Sequence, residues 1–391
     1  MSGMPRRSYG FCRAFAVHIV VAASLFSSAP ACAVEPSDIE SNLTVTIDGS
    51  AKQLSLAEAM TALNIPAVSI ALIDQDRIAF ARAYGDGVTP DTLFQAAPLS
   101  KFVAAVGAMR LVDQKQLSLD VDVNAELTSW KVPAKAFDKD HPVTLRGLLS
   151  MTGGIGVPGF IGYEVGAHLP TLTEILEGTP PANSPPVTVI AVPGSAYHYS
   201  GGGYEIAEAL MVDSVHARFP EIMDALVLKP AEMAHSTFAQ PLPPDLAAAA
   251  AKGHYGDGKE LPGGFRVCPE HAAAGLWSTP SDLANLLLLV ARAWRGESRL
   301  FLAPETAREM LTAQNGGPYG LGAAVRDVGG SLVLMKRGQN VGYQSYLLLV
   351  PGEGQGMVVM TNSDNGSILA EALIRRAARL YGWPPLGSLP D

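Results

Sequence analysis

Two hydrophobic periods divide the chain. AVSIALIDQDRIAFARAYG (Ala67 to Gly85) sets two apolar runs around the polar turn Asp74-Gln75-Asp76, which predicts a β-hairpin. Near the other end, SLVLMKRG (Ser331 to Gly338), YQSYLLLVPG (Tyr343 to Gly352) and GMVVMTN (Gly356 to Asn362) are short apolar runs with turn residues between them. They predict three strands. SILAEALIRRAARLYG (Ser367 to Gly382) then has amphipathic helical spacing and a glycine at its end. The middle is different. PLSKFVAAVGAMRLVDQKQ (Pro98 to Gln116) places Phe102, Val106 and Met109 at helical spacing. VTLRGLLSMTGG, YEIAEALMVDSVHARF and TPSDLANLLLLVARAW also predict helices, several opened by Thr, Ser or Asp as caps.

Strands, then helices, then strands predict an α/β (α+β) fold with one antiparallel sheet built from both termini and an inserted helical lobe. The sheet lobe is expected at about 45–93 and 325–391, the helical lobe at about 94–324. A cleft is expected where the lobes meet. The Pro-rich stretch at 178–195 is expected near it, and no tandem repeat is visible.

Composition narrows the function. Apolar residues make up 48% and charged residues 17%, which permits a large core and excludes wholesale disorder. Arg6, Arg7 and Arg13, the apolar run Ala14 to Phe26 and Ala31-Cys32-Ala33 together read as an export signal over residues 1–33. The mature domain is then 34–391, and its expected location is periplasmic or secreted. No stable membrane span is expected after cleavage, because the run is shorter than the roughly 20 residues a spanning helix needs. Losing three arginines leaves 25 basic against 37 acidic side chains, a net of −12. That argues against nucleic acid and anionic membranes as partners. Cys268 is then the one cysteine left, so no intrachain disulfide forms; it reads as a small buried hydrophobe. The histidines have no metal-ligand spacing, so no metal or other cofactor is expected. GGIGVPG (Gly153 to Gly159) fits G-x-G-x-x-G but lacks the strand-turn-helix context of a nucleotide site.

Three segments carry candidate chemistry: Pro98-Leu99-Ser100-Lys101 at a helix start, Tyr199-Ser200-Gly201 within YHYSGGGY, and Lys336-Arg337-Gly338, followed by QNVGY, on a strand. In this order they resemble the serine β-lactamase and penicillin-binding superfamily, specifically its class C β-lactamase-related, esterase-like branch. That family has S-x-x-K, Y-x-N and K-T-G or H-x-G at these places. The resemblance runs from about Ala67 to Tyr381 and implies a β-lactamase/transpeptidase-like fold. It also implies acyl transfer on an ester, amide or β-lactam through a serine acyl-enzyme. Lys101 is then the base, Tyr199 the proton relay, and Lys336 the cation that orients a substrate carboxylate or tunes Tyr199. The Gln339 N–H is the strand oxyanion donor, with Gly338, Asn340 and Gly201 beside the substrate. The implied partner is a small molecule or peptide with a carbonyl, with or without a carboxylate.

The family nucleophile position, however, holds Pro98. Proline lacks the hydroxyl and also the N–H that would be the second oxyanion donor. Ser100 is a poor substitute, because it lies about 200° around the helix from position 98 and about 100° from Lys101. Arg337 stands for the family Thr and Gly201 for the family Asn. The expectation is a hydrolase by descent that is inactive or strongly impaired. The alternative is a non-catalytic binding or regulatory pseudoenzyme of the same fold.

Overall fold

The hairpin at 67–85 forms as its pattern predicts. In the computed structural model, which describes residues 35–134 and 140–387 together with Met1, Gly3 and Gly10, the two turn residues Gln75 and Asp76 both have positive φ, 51° and 60°. Such a pair matches the right-handed twist of the strands it joins. Apart from Met1, Gly3 and Gly10, the predicted export signal lies outside the described residues. No described helix is long and apolar enough to cross a membrane.

Among the described residues, ten strands follow in chain order. β1 (Leu43–Ile47) and β2 (Ser50–Leu54) form a separate hairpin. β3 (Val68–Asp74) and β4 (Arg77–Tyr84) enter the main sheet, and β5 (Phe94–Gln95) pairs with β6 (Trp277–Ser278). β7 (Ala324–Val328), β8 (Ser331–Asn340), β9 (Tyr343–Val350) and β10 (Gln355–Thr361) complete the set. The main sheet runs β4-β3-β10-β9-β8-β7, antiparallel throughout. Strands from both ends of the chain therefore meet at the β3–β10 pair.

The helices that matter here are α1 (Leu99–Asp113), α2 (Leu145–Leu149), α3 (Gly202–Val215), α4 (His271–Ala274), α5 (Pro280–Arg295) and α6 (Gly366–Tyr381). α5 packs on β3, β4 and β10, and α6 packs on β1, β9 and β10. The sheet is thus covered on both faces. Ile70, Leu72, Leu348 and Val359 join one buried cluster with α6, while Ala71, Ile73, Leu347 and Val358 join the other with α5. This explains why β9 reads as an unbroken apolar run although its neighbours are antiparallel. All eight of its residues are buried.

α1 is buried along most of its length and shows almost no polar face. It enters the core from the sheet edge. Gly338 permits the approach: a Cβ there would stand 2.6 Å from the Ala96 carbonyl and 2.3 Å from Ser345 Oγ. Ser345 Oγ donates to that same carbonyl at 2.7 Å, tying β9 to the strand that leads into α1.

Candidate functional site

β7 pairs with β8 only as far as Met335, so the β7-facing edge of β8 from Lys336 to Asn340 has no strand partner among the described residues. The start of α1 and the loop before α3 face that edge. Between them lies a pocket of about 490 Å³ lined by Pro98, Lys101, Tyr199, Lys336, Gln339 and Asn340, among others. Most of the predicted residues therefore share one cavity. A wider groove of about 900 Å³ lies beside Tyr84 and Lys252 and contains none of the motif residues.

Lys101 is 1% exposed, and its Nζ donates to the Ala273 carbonyl of α4 at 2.7 Å. Burial lowers its pKa to about 7, against a smaller upward pull from Glu205. Glu205, on α3, is itself buried and is pushed well up by burial and by Glu208 and Glu270. Burial drives the pair toward amine and neutral carboxyl.

Lys336 is 2% exposed, and its Nζ donates to Tyr199 Oη at 3.3 Å and to Tyr319 Oη at 3.1 Å. It also stands 4.7 Å from the Tyr199 ring centroid, and Lys101 Nζ stands 5.3 Å from the same centroid. One aromatic ring thus contacts both amines. Burial lowers the Lys336 pKa well below its usual value, and the charge of Lys101 adds to the effect. Burial raises Tyr199 and Tyr319, so both phenols hold their protons at neutral pH.

Pro98 sits immediately before α1 with φ −56°, and the Ala97 ahead of it is in the left-handed region at φ 54°. Ser100 does not reach the pocket. It is fully buried; its Oγ donates to Ala97 O at 2.6 Å and accepts from Leu276 N at 3.0 Å. Gly201 lies behind the lining. A Cβ there would stand 2.9 Å from the Phe160 ring, and Phe160 lines the pocket. The phenyl ring therefore crowds the direction a side chain at 201 would take. Asn340 Nδ2 donates to Gln95 Oε1 at 2.8 Å and to Ala274 O at 3.4 Å, so it braces the wall. Gln339 is exposed at the rim.

Cys268 is buried, and burial raises its thiol pKa. Gly153 to Gly159 forms no strand-turn-helix; Pro158 and Gly159 end it as pocket wall. The Pro-rich stretch at 178–195 packs one layer back, where Gly156 N bonds Thr188 O at 2.9 Å and Ile190 N bonds Gly154 O at 2.8 Å. No cluster of metal-ligating side chains occurs among the described residues. Tyr319, Tyr197, Phe160 and Glu205 were not anticipated as parts of the site. The repeated acid in YEIAEAL, inside an otherwise apolar helix run, was a usable signal for Glu205.

Comparison with known proteins agrees with this architecture. The Beta-lactamase family model matches residues 55–380. The chain is 21% identical over 322 residues to Protein flp of Staphylococcus aureus (strain MW2), spanning 76% of this chain and 60% of that protein. Among solved structures it resembles the octameric penicillin-binding protein homologue from Pyrococcus abyssi, with TM-score 0.70 and 23% identity, covering 86% of this chain and 78% of that one. It also resembles the D-amino acid amidase from Ochrobactrum anthropi SV3, with TM-score 0.65 and 19% identity over 82% of this chain and 96% of that one. EstCE1, a hydrolase with promiscuous acyltransferase activity, gives TM-score 0.63 and 20% identity over 83% and 96%.

Proposed function

The chain belongs to the Beta-lactamase family, and from that premise we propose that its cleft binds small carbonyl compounds carrying a carboxylate, while serine acyl transfer is lost at position 98. The single observation behind this reading is the pyrrolidine ring of Pro98 lining the pocket beside Lys101. No described lining residue is a serine, threonine or cysteine, and the Ser100 hydroxyl is tied into backbone bonds. Loss of one oxyanion donor costs roughly 10² to 10³ in rate. Loss of the nucleophile costs on the order of 10⁶ in a comparable serine hydrolase. The two act in one step and need not multiply.

The retained parts favour a ligand site. Two buried amines and two protonated phenols remain where a carbonyl and a carboxylate could bind. That favours the binding form of the reading, a pseudoenzyme of hydrolase descent. YSGGGY supports placing it in the class C-related, esterase-like branch, and the pattern of residues 1–33 supports export to the periplasm or outside.

The test is to incubate the protein and Pro98→Ser with a chromogenic ester, a chromogenic cephalosporin and a tagged serine-reactive phosphonate. Turnover and labelling in Pro98→Ser alone is the expected result. Comparable turnover by the parent, or phosphonate on Ser100, overturns the reading.

A further inference from the structure

Among the described residues, the pocket walls hold no carboxylate, hydroxyl-bearing aliphatic residue or thiol; the nucleophilic atoms lining them belong to two lysines and two tyrosines. The tyrosines are protonated phenols and so weak nucleophiles. The reactive candidates are therefore amines. We propose that Lys336 is an imine-forming residue that captures an aldehyde or ketone bearing a carboxylate, an oxo acid. The proposal rests on the reading of the cleft as a ligand site without a serine nucleophile.

The geometry separates the two amines. Lys336 Nζ has two phenol oxygens within hydrogen-bond reach, at 3.3 and 3.1 Å. A neutral amine has two N–H donors, so these two acceptors satisfy both and leave the lone pair for a carbonyl carbon. Lys101 is placed differently. It is anchored on the Ala273 carbonyl, with the carboxyl of Glu205 nearby to draw its pKa upward. A lysine that is desolvated and set beside another cationic group is the arrangement that activates an amine. Lys336 has both features at neutral pH, where Lys101, with a pKa of about 7, is half protonated and supplies the neighbouring charge. A ligand carboxylate entering beside Lys101 strengthens that charge by favouring its ammonium form.

The step balances. The Lys336 lone pair forms the N–C bond as the carbonyl π pair moves to oxygen. A proton passes from the new ammonium to that oxygen, giving a carbinolamine. Tyr199, bonded to the same amine, delivers a second proton to the hydroxyl. Water leaves as the nitrogen lone pair closes the C=N bond. The iminium then returns one proton to the tyrosine oxygen, so amine and carbonyl become imine and water. Phe160 and Tyr197 on the walls suit an aryl group on the ligand.

The experiment treats the full chain at pH 7 with phenylpyruvate and sodium cyanoborohydride, then maps adducts by peptide mass spectrometry. Exposed Lys52, Lys115 and Lys229 serve as internal standards in the same digest. The expected result is reductive alkylation of Lys336 at least about tenfold above these, because the burial that lowers its pKa enlarges its free-amine fraction at pH 7. Acetophenone, which lacks the carboxylate, is expected to leave Lys336 unmodified; equal labelling overturns the oxo-acid assignment. Adducts confined to the exposed lysines, or to Lys101, overturn the proposal. The internal ratio in the parent chain requires no variant. Lys336→Met, with an unchanged near-UV spectrum, should lose the cleft adduct. If Pro98→Ser gains ester turnover while the parent gives no Lys336 adduct, the lost-acyl-transfer reading stands and this inference fails. Phosphonate on a parent serine removes both.

Discussion

Replacing Lys101 by methionine should change the pH dependence of stability in a defined direction. The side chain is fully buried, and its pKa falls from 10.5 to about 7 on folding. Between those values the unfolded chain holds a proton that the folded chain has released. Lowering the pH through this window therefore favours unfolding. The penalty is nil above the unfolded pKa and complete below the folded one. It amounts to about 4 kcal/mol at pH 7 and about 2 kcal/mol at pH 9. Methionine keeps much of the shape but cannot be charged. It also loses the hydrogen bond to Ala273 O, at a cost of about 1–3 kcal/mol that does not vary with pH. Relief of Lys336, whose amine is depressed partly by the Lys101 charge, acts in the same direction as the main effect. The quantity to measure is the stability difference between Lys101→Met and the parent, from urea unfolding at pH 7, 8 and 9 and constant ionic strength. The variant's relative advantage should shrink by about 2 kcal/mol from pH 7 to pH 9. A difference that stays constant within about 0.5 kcal/mol across that range refutes a neutral buried amine.

Other positions give independent checks. Glu270 is fully buried, and burial raises its pKa to about 7. Its folded pKa lies above the unfolded one, so stability falls as pH rises from about 4.5 to 7. Glu270→Gln should therefore stabilise by about 3 kcal/mol at pH 8 and by under about 1 kcal/mol at pH 5, read by urea unfolding. Gly338→Ala must push the Ala96 carbonyl or the Ser345 hydroxyl aside, since its Cβ would stand 2.6 and 2.3 Å from them. A loss of about 1–3 kcal/mol in melting experiments, with reduced Lys336 labelling, is expected. Gly159→Ala lines the same pocket but meets nothing within 4 Å, so its stability should stay within about 0.5 kcal/mol of the parent.

The main sheet was legible because burial on two faces writes strands as continuous apolar runs, and β3, β8, β9 and β10 appear where those runs lie. The hairpin of β1 and β2 was not legible. β2 reads SAKQL and is mostly exposed, so it has no apolar signature. β7 reads AVRDV and is similarly short and mixed. The VTLRGLLSMTGG run predicts more helix than forms. α2 ends at Leu149, and Met151 takes φ 64°, a conformation no helix continues through. At the site, the family resemblance of three short motifs pointed to Lys101, Tyr199 and Lys336. Phe160 lines the pocket and Tyr319 meets Lys336 behind it, both from loops, and only the crossing of chain segments brings them to Gly201 and Lys336. Such contacts leave no period in the sequence.

The structure also separates what holds the helix start from what the chemistry would have used. Leu99 N, Ser100 N and Lys101 N bond to the carbonyls of Ala96, Ala97 and Pro98, and the Ser100 hydroxyl ties this turn to Leu276. Position 98 contributes only a carbonyl and a φ of −56°, which proline adopts by construction. Its missing N–H is one a helix start leaves unpaired in any case. The fold therefore tolerates Pro98 without repair. What it retains at a cost is the surroundings: Ala97 in the left-handed region and two amines stripped of water. A ligand carboxylate offsets that cost by restoring the ammonium form of Lys101. Binding of an oxo acid should therefore take up a proton, detectable as a buffer-dependent calorimetric heat between pH 7 and 9, and should stabilise the protein more at pH 7 than at pH 9. Binding heats identical in buffers of different ionisation enthalpy would show that the pocket amines do not respond to the ligand's charge.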